Sequence, residues 1–171
     1  MVANPPLWAD IAKDLDAALA QATAAVTYRG HGDTAEVRGD TVIAAAIRLG
    51  VGRCVDAAFS AVEAALERLL VEVDGNVPAG PRHHAELLRR AVIPIPTLRA
   101  AVLPGEVFRD LDALRGFRHA YRHVYEGFEY ELAAPNVDLA ARCIPRAAAE
   151  IERFCRDFGI TPPELPVRFP G

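Results

Sequence analysis

Across residues 5–27, Leu7, Ile11, Leu15, Ala18, Ala22 and Val26 recur at three- and four-residue spacing, the stripe of an amphipathic helix. The stretch YRGHGDTAEVRGD at 28–40, polar and rich in Gly and Asp, separates this helix from a longer pattern. From Thr41 to Val73 the same period is kept by Ile43, Ile47, Val51, Val55, Phe59, Val62, Leu66, Leu69 and Val73. A helix of that length spans about 50 Å, so a bend is expected at Gly50-Val51-Gly52. DGNVPAG at 74–80 ends it, and Pro81 suits the first position of a short helix through PRHHAELLRRAV. Three prolines in IPIPTLRAAVLPG, residues 93–105, break helicity. Glu106 to Leu132 is helical again, with Val107, Leu111, Leu114, Phe117, Tyr121, Val124, Phe128 and Leu132 on one side. Asn136 is placed to cap a last helix that runs to Phe158 and stops at Gly159, and Pro145 within it predicts a kink or a split. No segment alternates with period two and no internal repeat is present. The expected architecture is all-α, a four- to five-helix up-down bundle forming one domain over 1–158, followed by a proline-rich tail at 159–171.

Composition narrows the function classes. The chain has 171 residues, 51% hydrophobic and 25% charged, enough to bury a true core and unlike a disordered, collagen-like or disulfide-dense chain. A net charge of -4 argues against coating nucleic acid through bulk positive charge and leaves room only for a local basic patch. Three cysteines, Cys54, Cys143 and Cys155, form no C-x-x-C pair. With no secretory h-region after Met1 and no apolar run of membrane-spanning length, the expectation is a cytoplasmic protein, away from membranes, whose reduced thiols fill the core. Phosphate-loop, nucleophile-elbow and H-E-x-x-H motifs are absent, and no histidine follows a glutamate at the spacing of di-iron bundles, so neither a metal site nor a cofactor is expected.

Positive and titratable residues concentrate in one place. Arg109, Arg115, Arg118 and Arg122 fall within fourteen residues, with His119, His123, Tyr121 and Tyr125 interleaved. On spacing alone the cluster suits a solvated arginine face as well as an anion site. Arg118 and Tyr125 lie seven apart on the flank of the apolar stripe, where an arginine must snorkel or meet an anion. His123 sits roughly 140° from Arg118 on an ideal helix. The two converge only if the helix is distorted or a second subunit completes the site. His119 and His123 are four apart, a metal-ligand spacing, but two histidines without a further ligand make an incomplete site. His83 and His84, at the start of the short helix, read most simply as exposed polar residues near a cap.

Arg118-His-Ala-Tyr-Arg-His123-Val-Tyr125 resembles the signature of HepT-type toxins: arginine, any four residues, histidine, any one, tyrosine. These toxins belong to the HEPN superfamily of small all-helical ribonucleases. His119 stands where that superfamily often carries a polar residue after the motif arginine, and the motif lies near the end of a penultimate long helix, as in HepT-like domains. The resemblance implies a metal-independent endoribonuclease toxin of a HEPN/MNT toxin–antitoxin pair, acting on RNA rather than DNA as a homodimer whose motif helices share a cleft. Metal-free cleavage needs a base for the 2′-hydroxyl, an acid for the leaving 5′-oxygen and a cation on the phosphorane. The resemblance therefore implies His123 as general acid/base and Arg118 as phosphate and transition-state stabiliser. His119 and Arg122 are candidates for substrate positioning. Tyr125 is implied as the site at which a minimal nucleotidyltransferase antitoxin adds AMP. The alternative is a catalytically silent HEPN-type helical module that binds nucleotide or partners a nucleotidyltransferase subunit.

Overall fold

The structure, a computed structural model, describes residues 4–80, 82–123 and 130–161, without the side chains at 123 and 130–132. It is all-α, with α1 Pro5–Val37, α2 Thr41–Asp74, α3 His83–Val92, α4 Gly105–His123 and α5 Tyr130–Asp157. Among the described residues the only β feature is an isolated bridge between Ile95 and Arg99. No helix there is long and apolar enough to cross a membrane.

α1 and α2 form a long antiparallel hairpin; α5 packs against both, and α4 contacts α2, α3 and α5. Most stripe positions read from the sequence lie in the core, joined there by Leu70, Leu87, Leu88 and Ile144, whereas Val26 and Ile43 are exposed. Ile11 and Leu15 of α1, Phe59, Leu66, Leu69 and Leu70 of α2, Leu87 and Leu88 of α3, Leu111 and Leu114 of α4 and Ile144 of α5 are all fully buried. Each buried side chain of this kind contributes about 1.5–3 kcal/mol over its exposed state. The three cysteines are buried and free, as their role of core fillers requires. Burial pushes the Cys143 and Cys155 thiols up to about 12, leaving them without nucleophilic thiolate near neutrality.

One boundary of the hairpin differs from the sequence expectation. Residues 28–37 are not a loop but the last part of α1, and only a three-residue turn joins α1 to α2. Burial of Gly32 and Ala35 offsets the poor helix propensity of the stretch. Gly39, at φ +80°, closes the helix: its N–H donates to Glu36 O, and Asp40 N–H donates to Ala35 O, each at 2.9 Å. The hairpin therefore extends past the core, which ends at Ala25 and Val51, and leaves Val37, Val42, Ile43 and Leu49 exposed. α2 also continues through Gly50–Gly52 without a break.

The last helix departs from expectation as well. α5 already includes Tyr130, so Asn136 lies inside it and caps nothing, and Pro145 does not split it. Core burial on both sides of that proline, at Cys143, Ile144, Ala147 and Ala148, outweighs the lost hydrogen bond. Gly159, at φ +79°, does end the helix, with Ile160 N–H donating to Cys155 O at 2.8 Å. Gly39→Ala is expected to cost about 1–2 kcal/mol in urea denaturation, because the left-handed turn there strains any Cβ. Gly30→Ala, in open space within α1, should stabilise by up to about 1 kcal/mol.

Candidate functional site

The site is built on the contact between α2 and α4, with α3 as its rim. Arg118 and Arg122, one helical turn apart on α4, face Asp56, Ser60 and Glu63, which share one face of α2. Arg122 forks onto Asp56, with Nε donating to Oδ1 at 2.9 Å and Nη2 to Oδ2 at 3.0 Å. Arg118 pairs with Glu63, its Nε lies 3.5 Å from Asp56 Oδ1, and its guanidinium carbon stands 5.7 Å from the centre of the Phe59 ring. The Arg118 side chain is only 12% exposed, so this arginine neither snorkels into water nor lies on a solvated face. It meets buried carboxylates instead.

Asp56 is 1% exposed and also accepts from Arg53 Nη1 at 3.1 Å. A buried carboxylate needs such partners, because an unpaired charge there would be costly to desolvate. Glu63 is less well served. Burial raises its pKa to about 7, against the opposing pull of Arg118 and, more weakly, His83 and Arg122. Its Oε1 lies 2.9 Å from His84 Nδ1 yet makes no aligned hydrogen bond.

Beside these pairs opens a cleft of about 380 Å³ lined by Arg82, His84 and Ala85 from the α3 side and Arg115, Arg118, His119 and Arg122 from α4. Forked cations and imidazoles in a concave surface suit a phosphate-bearing ligand. The positive charge is smaller than the sequence cluster suggests, since Arg115 pairs with Asp112, Arg118 with Glu63 and Arg122 with Asp56. Arg109 is exposed and does not line the cleft. Among the described residues no three His, Cys, Asp or Glu side chains gather as a metal site.

Of the residues singled out from sequence, Arg118, His119 and Arg122 come together on this wall. The His123 side chain and Tyr125 lie outside the described residues. Asp56, Glu63, Arg82 and His84 were missed. A signal existed for the two acids: each directly follows a stripe position, Val55 and Val62, so each falls at the edge of the buried face. His84 had no such signal; it is exposed near the start of α3, as expected, and it also lines the cleft.

Glu63 makes the stability of the protein depend on pH. Its folded pKa lies above the ordinary 4.5, so the folded state holds the extra proton between those values and stability falls as pH rises from 4.5 to about 7. Glu63→Gln should flatten the unfolding free energy over that window by roughly 1–3 kcal/mol, measured by urea melts at a series of pH values.

A helical bundle whose α2 carboxylates brace arginines on the wall of a cleft defines the protein as a small all-α domain with an arginine-lined cleft. The profile of the family described as HepT-like protein matches residues 50–158, and the chain belongs to that family. The matched span covers every residue of the cleft, while α1 and the outer hairpin precede it. Comparison with curated proteins and with solved structures gave no match.

Proposed function

We propose that the protein is a metal-independent endoribonuclease toxin of a HEPN/MNT toxin–antitoxin pair. It cuts RNA at a cleft shared by two subunits, with Arg118 binding the phosphate and His123 moving a proton. A cognate nucleotidyltransferase silences it by adding AMP to Tyr125. One observation carries the reading: the motif arginine sits in the wall of a cleft that gathers three further arginines and two histidines. Arg118 is held on Phe59, Asp56 and Glu63, which fixes the guanidinium before substrate arrives and spares reorganisation at the moment of reaction. Bulk and negative charge on Tyr125, seven residues along from Arg118, would compete with RNA for these cations.

One observation favours the second reading, a silent module that binds nucleotide without cutting. The Arg118 charge is already offset by two carboxylates, so less of it remains for a developing phosphorane. Incubation with single-stranded RNA in EDTA separates the two. The wild-type protein should yield products ending in 2′,3′-cyclic phosphate and 5′-hydroxyl; intact RNA at stoichiometric protein selects the silent module. Co-expression with a partner nucleotidyltransferase should add AMP mass to the wild type and none to Tyr125→Phe.

A further inference from the structure

We propose that His84, beside Glu63, is a second proton-transfer residue of the cleft and accepts the 2′-hydroxyl proton of bound RNA; this rests on the nuclease reading above. The motif contributes a single histidine per chain, whereas cleavage by 2′-hydroxyl attack needs both a base and an acid. α3 brings a second imidazole to the same place. His84 Nδ1 lies 2.9 Å from Glu63 Oε1 and 3.4 Å from Arg118 Nη1, on the wall that carries the motif arginine.

The neighbouring His83 is turned to a structural task. Its Nδ1 meets Pro78 O at 2.6 Å, its Nε2 lies 3.7 Å from Glu67, and its ring stands edge-on to that of His84 with centroids 5.2 Å apart. His83 therefore buttresses His84 without reaching the cleft lining. The buried Glu63 Oε1, without an aligned donor, is the acceptor that a small rotation of the His84 ring would satisfy. A carboxylate at Nδ1 orients an imidazole and stabilises the imidazolium that forms when the ring takes a proton.

Burial and the charged groups around the ring set its resting state. Burial first, then Arg118 from α4, His83 from α3, and Arg122 and Arg115 from α4 hold the His84 pKa below its ordinary value, so the ring is neutral near pH 7 and has a lone pair to offer. Glu63 and Asp56 face it from α2, and Asp56 is occupied by its own arginines. Once the ring rotates so that Nδ1–H faces Glu63, in place of the 3.4 Å contact that Arg118 Nη1 donates to Nδ1, Nε2 is the accepting nitrogen. The 2′-hydroxyl proton passes to Nε2, the 2′-oxygen bonds to phosphorus, and the bond from phosphorus to the 5′-oxygen breaks. That 5′-oxygen leaves with a proton from an acid, the role open to His123. The products are a 2′,3′-cyclic phosphate and a 5′-hydroxyl.

The test measures kcat/KM on a single-stranded RNA oligonucleotide in EDTA across the pH range, alongside the Kd of the all-2′-deoxy oligonucleotide, which cannot be cut. His84→Gln should lower kcat by about 100-fold or more, leave the Kd of the deoxy oligonucleotide within about three-fold, and abolish the acid limb of the pH profile. Glu63→Gln mimics the protonated carboxyl that Glu63 carries below about pH 7, so it should keep the acid limb in place and remove any change in kcat that accompanies ionisation of Glu63; a purely structural role for Glu63 would give no such change to remove. Thermal melts show whether the variants fold, and His84→Asn replaces His84→Gln should the latter not fold. If folded His84 variants cut within about three-fold of wild type while Arg118→Ala and His123→Ala do not cut, the His84 assignment is overturned and the nuclease reading stands. Wild-type protein that cuts nothing overturns both.

Discussion

Arg118→Ala is expected to reduce RNA cleavage by about 10³-fold, the loss that follows removal of a preorganised charge at a developing phosphorane. The same change strips a partner from two buried carboxylates. Asp56 keeps Arg53 and Arg122, but Glu63 is left with only His84 close by. Glu63 should respond by holding its proton to higher pH, which limits the loss of stability to about 1–3 kcal/mol. Arg118→Ala/Glu63→Gln separates the two effects: replacing the orphaned carboxyl with an amide should recover most of the stability and none of the cleavage. Arg118→Lys keeps the charge but not the fork that reaches two carboxylates, so it should fall between wild type and alanine in both respects. Cleavage by Arg118→Ala at close to the wild-type rate would remove this residue from the site.

The second large effect is structural and distant from the cleft. Arg99→Ala should destabilise the protein by about 3–5 kcal/mol in urea denaturation. Arg99 comes from the proline-containing segment between α3 and α4, and its side chain is 1% exposed. It forks onto Asp74 at the end of α2, with Nε donating to Oδ1 at 2.5 Å and Nη2 to Oδ2 at 2.8 Å. It also donates to the carbonyls of Ile93, Ala100 and Arg90 at 3.0–3.1 Å. One guanidinium thus serves a buried carboxylate and three carbonyls, of which Arg90 O also accepts from Ile93 N–H at 3.3 Å. Alanine would take a donor from all of them at once. Arg99→Ala/Asp74→Ala should be less damaging than Arg99→Ala alone, since it removes the buried anion too; equal losses would show that the carbonyls carry the cost.

The helices were legible because period is a local property. Each apolar stripe reports which side of its own helix is buried, and α1, α2 and α4 follow those stripes into the core over most of their length. Legibility failed where local preference was overruled. Residues 28–37 read as a loop from their glycines and polar residues, yet burial of Gly32 and Ala35 accompanies the extension of α1 through them. Asn136 and Pro145 read as a cap and a break, yet burial along α5 carries the helix past both.

The same division runs through the site. By itself the sequence determined that the chain is all-α, that arginine and histidine concentrate on the fourth helix, and that Arg118 opens a HepT-like motif. Only the tertiary structure decided what surrounds Arg118. Glu63 is 55 residues away in sequence and His84 is 34 away. Neither spacing carries a period, because a helical repeat describes one helix and says nothing of which faces of different helices meet. That meeting is set by packing of whole faces, and here it seats the motif arginine on two buried carboxylates and brings an imidazole from α3 against it.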